Sequence, residues 1–317
     1  MVKFALVSVA IALGLLIVGE IGLRAFFGFG NPLLYLADDR IGYLLAPNQR
    51  TRRFGNRIDI NSYSMRSEEI SPQPDASTVR VMLLGDSLAN GGWWTDGEDT
   101  MSARMSRLLS GELGPRLSEG KIEVLNASAN SWGPRNELAY LERFGHFQAK
   151  AVVLLINTDD LFAITPTSLP VGRDRNYPAQ KPALAWIEAI ERYVLPEVAI
   201  PELDRLRQEG GDRVGKNLAA IEQIHAILRA ENIPLIVVLS PLKREVGSPG
   251  PKEYEIKARD RLQSTIQTRN IPFIDLLPIF NAIDESETLY RDTIHLSPEG
   301  DRLVSEKICQ LLIEVLE

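Results

Sequence analysis

The sequence predicts an α/β domain in which five short strands form a parallel sheet covered by helices on both faces, with an apolar helix in front of it. Three observations carry this. From Val79 onward, short apolar runs alternate with amphipathic stretches, the pattern of β-α-β units joined by right-handed crossovers. Polar residues gather just after those runs, at Asp86-Ser87, at Asn126 to Ser128 and at Asn157 to Asp160. In open parallel sheets, ligands bind beyond the carboxyl ends of the strands. The third observation is an almost uncharged stretch that opens the chain.

That stretch reads MVKFALVSVAIALGLLIVGEIGLRAFFGFG. Lys3 precedes an uncharged run from Phe4 to Gly19, and counting Ile21 to Leu23 brings it to the ~20 residues a bilayer needs. No small-x-small cleavage site follows, so residues 1–30 read as an uncleaved signal anchor. A removed signal peptide and a buried helix are the other readings. Lys3 and the amino terminus favour a cytoplasmic start, with Arg24 voting against, so the rest of the chain is expected to be periplasmic or otherwise extracytoplasmic.

Residues 31–78 are rich in Pro, Asn, Arg and Ser. They are expected to form a juxtamembrane segment, with short strands or extended turns at IGYLLAPNQR and RIDINSYSMRS. SPQPDAS (71–77) reads as a linker, because two prolines oppose both helix and ladder. The main domain, 79–317, starts with VRVMLLG (79–85), an apolar run suited to a strand buried on both faces. TMSARMSRLLSGEL follows as a helix, then KIEVLNAS as a strand, NELAYLERFGHF as a helix and KAVVLLIN as the third strand. Residues 163–210 form a Pro-rich insertion too long for a bare crossover. It is expected to make a lid or small helical subdomain over the cleft, or else a peripheral elaboration. RVGKNLAAIEQIHAILRAEN, IPLIVVLSP, KEYEIKARDRLQSTIQTRN and IPFIDL continue the alternation. SPEGDRLVSEKICQLLIEVL closes the chain, with Ser297 as N-cap and Pro298 as first helical residue.

Of 317 residues, 44% are hydrophobic and 24% charged, and the formal charge is −7. An acidic chain lacks the basic face that nucleic acid demands. Arg50, Arg52 and Arg53 are the one tight basic cluster, expected in a solvated loop or against headgroups. Cys309 is the only cysteine, which excludes a disulfide framework and a Cys-rich zinc site. Its apolar helical setting predicts buried packing.

Ser87 sits where a strand turns into a helix, and a serine becomes nucleophilic only when a base and an orienting third group serve it. Three histidines are available. His225 is mid-helix, and His146 ends a helix near the amino edge of the third strand. His295 lies just before the last helix, and Asp292 precedes it by three residues. That spacing lets the carboxylate fold back onto the imidazole Nδ1 and leaves Nε2 for Ser87. A phosphate-binding fold is disfavoured, since no Gly-rich loop of that kind follows the first strand.

Gly85-Asp86-Ser87 together with Asp292-x-x-His295 resembles the SGNH (GDSL-type) hydrolase superfamily, over about residues 79 to 316. The anchor followed by IGYLLAPNQ and DINSYSMRS is similar to the front end of bacterial membrane-tethered members. The resemblance implies a flavodoxin-like three-layer α/β/α fold and hydrolysis or transfer of acyl esters, with no metal or cofactor. It also implies an oxyanion hole, and here the chain departs from the pattern. Ser131 stands where the second block has Gly, and Asp159 stands where the third has Asn. Three readings stay open: Asn157 substitutes as donor, Asp159 donates as a neutral acid, or the hole is incomplete. NGGWW and Trp132 either line an acyl or sugar pocket or pack in the core.

The function expected is a membrane-anchored serine esterase or O-acyltransferase acting on an acylated carbohydrate or lipid of the cell envelope. The alternative is a weak or inactive SGNH-fold scaffold or glycan-binding protein.

Overall fold

The structure, a computed structural model, describes residues 2–114 and 121–316. Helix α1 (Val2–Gly22) continues through a wider turn over Leu23–Phe27, and no residue of α1 is buried. Together they form a helical stretch of 26 residues, long and apolar enough to be a membrane span or a signal sequence.

The segment after it is more than a tether. Strand β1 (Tyr35–Asp38) pairs antiparallel with β2 (Gly42–Leu45), and β3 (Gln49–Arg53) pairs with β4 (Asn56–Ile60). Tyr35, Ile41, Leu45, Ile58, Ile60 and Met65 are buried in the same core as the main sheet. At roughly 1.5–3 kcal/mol for each fully buried aliphatic or aromatic side chain, these hairpins belong to the fold. Only 71–77 keeps the exposed, irregular character of a linker. Arg53 departs from the solvated loop expected of it: it is buried, ion-paired with Glu188 and stacked on Phe29 at 4.7 Å.

The main sheet contains β5 (Thr78–Gly85), β6 (Lys121–Ser128), β7 (Ala151–Asn157), β8 (Leu235–Ser240) and β9 (Phe273–Asp275). All pairs are parallel, in the order β6-β5-β7-β8-β9. Strand alternation divides the core into two layers. Met82 and Leu84 of β5, Val152, Leu154 and Ile156 of β7, and Leu235, Val237 and Leu239 of β8 face one side. There they meet α4 (Pro134–Phe144), α7 (Arg213–Ala230) and α8 (Glu253–Arg269). Val81, Leu83, Val153, Leu155, Ile236 and Val238 face the other side. They pack on α3 (Met101–Leu113), α9 (Leu276–Asn281) and α10 (Pro298–Leu316), with Cys309 buried among them. The result is the five-stranded three-layer α/β/α arrangement, because near-continuous apolar strands must be covered on both faces.

The insertion carries α5 (Ala185–Tyr193) and α6 (Pro201–Arg207). Strands β5, β6 and β7 all end at one edge, and the loop before α10 returns there.

Candidate active site

Strand β5 ends at Gly85, where an added Cβ would lie 2.6 Å from the Leu155 carbonyl oxygen of β7. Glycine is needed for that close approach. The next residue, Asp86, caps the one-turn helix α2 (Ser87–Asn90), its Oδ1 accepting from the Leu88 N–H at 2.8 Å. Capping therefore falls to Asp86 and leaves the Ser87 hydroxyl free. Ser87 Oγ lies 2.9 Å from His295 Nε2, although 208 positions separate the two residues.

His295 sits on a short loop whose flanks Tyr290 and Leu296 form an antiparallel bridge. Its Nδ1 lies 2.8 Å from Asp292 Oδ2. Asp292 Oδ1 accepts the backbone N–H groups of Ile294 at 2.9 Å and His295 at 2.8 Å. A carboxylate beside Nδ1 selects the tautomer with hydrogen there, which makes Nε2 an acceptor for the serine proton. Burial pushes the Asp292 carboxyl up, but those two N–H bonds and the imidazole outweigh it and hold it below its ordinary range. Trp94 packs edge-on to the imidazole with ring centroids 4.7 Å apart, and Arg291 stacks on Trp94 at 4.9 Å.

Behind Ser87, Asp86 Oδ2 accepts from Asn157 Nδ2 at 2.9 Å and lies 3.3 Å from Ser87 Oγ. Hydroxyl donors prefer acceptors within about 3.0 Å, so the imidazole is the better partner of Ser87. Two further carboxyls lie deeper. Asp160 accepts from the Asn157 backbone N–H at 2.7 Å, and neither oxygen of Glu137 has a partner among the described residues. Burial raises all three acids, Asp86, Asp160 and Glu137, and the Asp86 charge raises the last two further. Low dielectric favours the neutral form of a carboxyl that has no cation to pair with.

Ser131 and Asp159 line the same cavity as Ser87 and His295. Ser131 has φ 57°, the left-handed region that glycine occupies without strain, and its Oγ accepts from the Tyr177 hydroxyl at 2.9 Å. Its backbone N–H has no partner among the described residues. The Asn157 side chain is turned inward, its Oδ1 accepting the Asp159 N–H at 2.8 Å while Nδ2 reaches Asp86. The Asp159 carboxyl, exposed on the cavity wall, is raised above its ordinary value by desolvation, against the attraction of Arg244. Ser87, His295 and Asp292 thus form one bonded chain, Asn157 is bonded to Asp86 behind the serine, and Ser131 and Asp159 line the cavity beside them.

The cavity measures about 950 Å³. Trp93 and Trp94 line it, whereas Trp132 is buried and donates its indole N–H to the Tyr43 carbonyl at 3.0 Å. His146 lies elsewhere, bonded to Glu231 at 2.9 Å. Residues 163–167 and Tyr177 of the insertion also line the cavity.

The sequence profile of the GDSL-like lipase/acylhydrolase family matches residues 83–303. The chain belongs to that family. It is an ester hydrolase of the SGNH type, with Ser87 just after β5 and Asp292 and His295 on the loop before α10. No curated protein matches it. Among solved structures, the acetyl xylan esterase AlAXEase is 16% identical with a TM-score of 0.48, the match covering 74% of this chain and 99% of that one. A lipase/acylhydrolase from Enterococcus faecalis is 15% identical with a TM-score of 0.45, over 74% of this chain and 95% of that one. The acetylxylan esterase Axe2 from Geobacillus stearothermophilus is 13% identical with a TM-score of 0.47, over 73% and 93%.

Several parts of the site carry no local sequence signal. Arg66 is buried and donates to the carbonyls of Asn90, Gly92 and Thr95, fixing the loop that holds the two tryptophans. Burial pushes its guanidinium down to about 10, still charged at neutral pH. Nothing in YSMRS announces this role. The packing of Trp94 on His295 and the bond from Tyr177 to Ser131 are equally invisible locally.

Proposed function

We propose that the chain is a membrane-anchored serine esterase or O-acyltransferase acting on acyl esters of an envelope carbohydrate or lipid. The Ser87–His295–Asp292 hydrogen-bonded chain is the observation that supports this most directly. Ser87 Oγ attacks the acyl carbon while His295 Nε2 takes its proton, and the alcohol then leaves with that proton, giving an acyl-enzyme. Water activated by the same imidazole releases the acid, or a sugar hydroxyl takes the acyl group. Asp292 holds the tautomer and stabilises the imidazolium.

The developing oxyanion is met by the backbone N–H groups of Ser87 and Ser131 and by the Asn157 amide. In this reading Asn157 is the side-chain donor, because Nδ2 already lies beside Asp86 next to the serine. Asp159 acts at the rim as a charge that is unfavourable when ionised. Residues 1–30 serve as the anchor, the hairpins within 31–78 pack onto the extracytoplasmic domain at 79–317, and 163–210 form a lid that selects substrate.

Labelling with a fluorophosphonate probe tests the reading. Wild type is expected to react and Ser87→Ala to stay unlabelled. A wild-type chain that takes up no probe at all points instead to a non-catalytic scaffold or glycan-binding protein.

A further inference from the structure

The end of the apolar helix is fastened to the insertion. The indole N–H of Trp186 donates to the Leu16 carbonyl at 3.0 Å. Glu20 accepts the N–H groups of Ala185 at 2.9 Å and Trp186 at 3.2 Å, closing the amino end of α5. An added Cβ on Gly19 would sit 2.2 Å from the Trp186 ring, so glycine lets the indole lie against the helix. Arg24 bridges Glu20 and the Ala183 carbonyl. The insertion and α1 therefore present one continuous surface.

That surface is apolar and uncovered. Ile187, Ile190 and Val194 stand on one side of α5 and its continuation, joined by Leu195 and Val198. Val194 is 72% exposed, Val198 75%, and Phe26 at the end of the anchor 77%. Glu191 and Glu197 are the exposed acidic residues of the stretch, Glu188 being buried against Arg53. Contiguous exposed apolar surface of this kind marks an interaction site. The occupant is indicated by continuity: the patch adjoins an unburied helix of bilayer-spanning length, and a tryptophan marks the junction, where interfacial aromatics concentrate.

From the same place a row of rings leads inward. Phe27 touches Phe54 at 5.7 Å between centroids, Phe54 touches Trp93 at 5.1 Å, Trp93 touches Trp94 at 5.6 Å, and Trp94 touches His295 at 4.7 Å. Phe54, Trp93, Trp94 and His295 all line the cavity, as does Tyr193 at the end of α5.

We propose that α5 with residues 193–198 rests in the bilayer interface beside the anchor, and that the cavity opens onto it, so that the substrate is an ester carried by a bilayer lipid. This rests on the esterase and anchor readings above. The aromatic row gives an acyl chain leaving the membrane an apolar wall to follow toward the reacting serine.

The test uses the full chain in vesicles of phosphatidylcholine and phosphatidylglycerol. Nitroxide labels go on cysteines at Val194 and Val198, with Val7 on α1 and Gln310 on α10 as references, and collisions with oxygen and with a water-soluble nickel chelate are compared. Labels at 194 and 198 are expected to be oxygen-accessible and nickel-protected like the label at 7, with 310 the reverse. Nickel-accessible labels at 194 and 198 beside a lipid-exposed 7 overturn the proposal and leave the anchor standing. Protection from both reagents means a protein partner and also overturns it. A water-exposed label at 7 removes the anchor and the proposal together.

A second readout uses the pair Val194→Asp and Val198→Asp. Hydrolysis of p-nitrophenyl palmitate in the vesicles is expected to fall at least ~10-fold, with soluble p-nitrophenyl acetate unaffected. Equal loss on both esters, or loss on neither, contradicts the proposal. A wild type inert to both esters removes the esterase reading, and the proposed substrate with it; the label depths still decide the surface.

Discussion

Replacing Asp292 by Asn changes one atom in the Ser87–His295–Asp292 chain, and the structure dictates which way the new amide points. Two backbone N–H groups, from Ile294 and His295, are aimed at Oδ1. Turning an amide NH2 toward them would leave two donors unsatisfied, at about 1–3 kcal/mol each where they are shielded from water. The Asn oxygen therefore stays on that side and its NH2 faces Nδ1. The imidazole must then accept at Nδ1 and carry its hydrogen on Nε2, where it meets Ser87 Oγ and cannot take a proton. The expected loss in kcat is on the order of 10⁴, or about 5.5 kcal/mol in barrier. Asp292 is 45% exposed, so the loss of its charge alone is screened, and the tautomer carries the effect. The assay is hydrolysis of p-nitrophenyl acetate near pH 7.5 together with the rate of fluorophosphonate labelling, with thermal melting as a check on folding. Retention of more than a tenth of wild-type activity at an unchanged melting temperature would refute the reasoning.

Three other outcomes are expected. Glu137 is buried with its pKa raised, so the unfolded chain ionises first as pH passes about 4.5, and stability is lost between that point and the higher folded value. Glu137→Met should therefore gain more in melting temperature over wild type at pH 8 than at pH 4, and equal gains at both would sink the argument. Asp159→Asn places a neutral amide on the cavity rim and should raise the rate of ester hydrolysis at least ~10-fold, given that one oxyanion donor is worth roughly 2.7–4 kcal/mol; an unchanged or slower rate counts against a repulsive role for Asp159. Arg66→Met strips three carbonyls of their donor, and calorimetry should show a loss of at least about 2 kcal/mol, roughly 4–8 °C in melting temperature. A melting point within a degree of wild type would mean that water replaces the guanidinium.

The order of strands and helices was legible because it is written in short-range periodicity. A run such as AVVLLIN, apolar at every position, must be buried on both faces wherever it goes. The Asp292 and His295 pair was legible for a similar reason: three residues of loop suffice to fold one onto the other. Asp86 was harder to place. GDS marks a cap and a serine together, and only the bond from Leu88 to Asp86 shows which residue does the capping.

Other features had no local signal. Arg53 and Arg66 look alike on paper to any solvated arginine, yet each lies in the interior opposite partners from distant segments. The residues around 35–65 read as a juxtamembrane segment of short strands or turns, because scattered polar residues do not reveal what covers them; the covering surface comes from the main sheet. Trp93 and Trp94 face the cavity while Trp132 is sealed in the core, a division decided by loop geometry that composition does not encode.

Residue order alone was enough for the α/β class, the apolar leading helix and the pairing of a histidine with its carboxylate, since each depends on neighbours within a few residues. Packing decided the rest: how a serine near position 87 and an imidazole near 295 come to lie 2.9 Å apart, which amide turns inward, and which acids burial makes harder to ionise. Those depend on desolvation and on contacts between segments hundreds of positions apart, and neither quantity exists until the chain has folded.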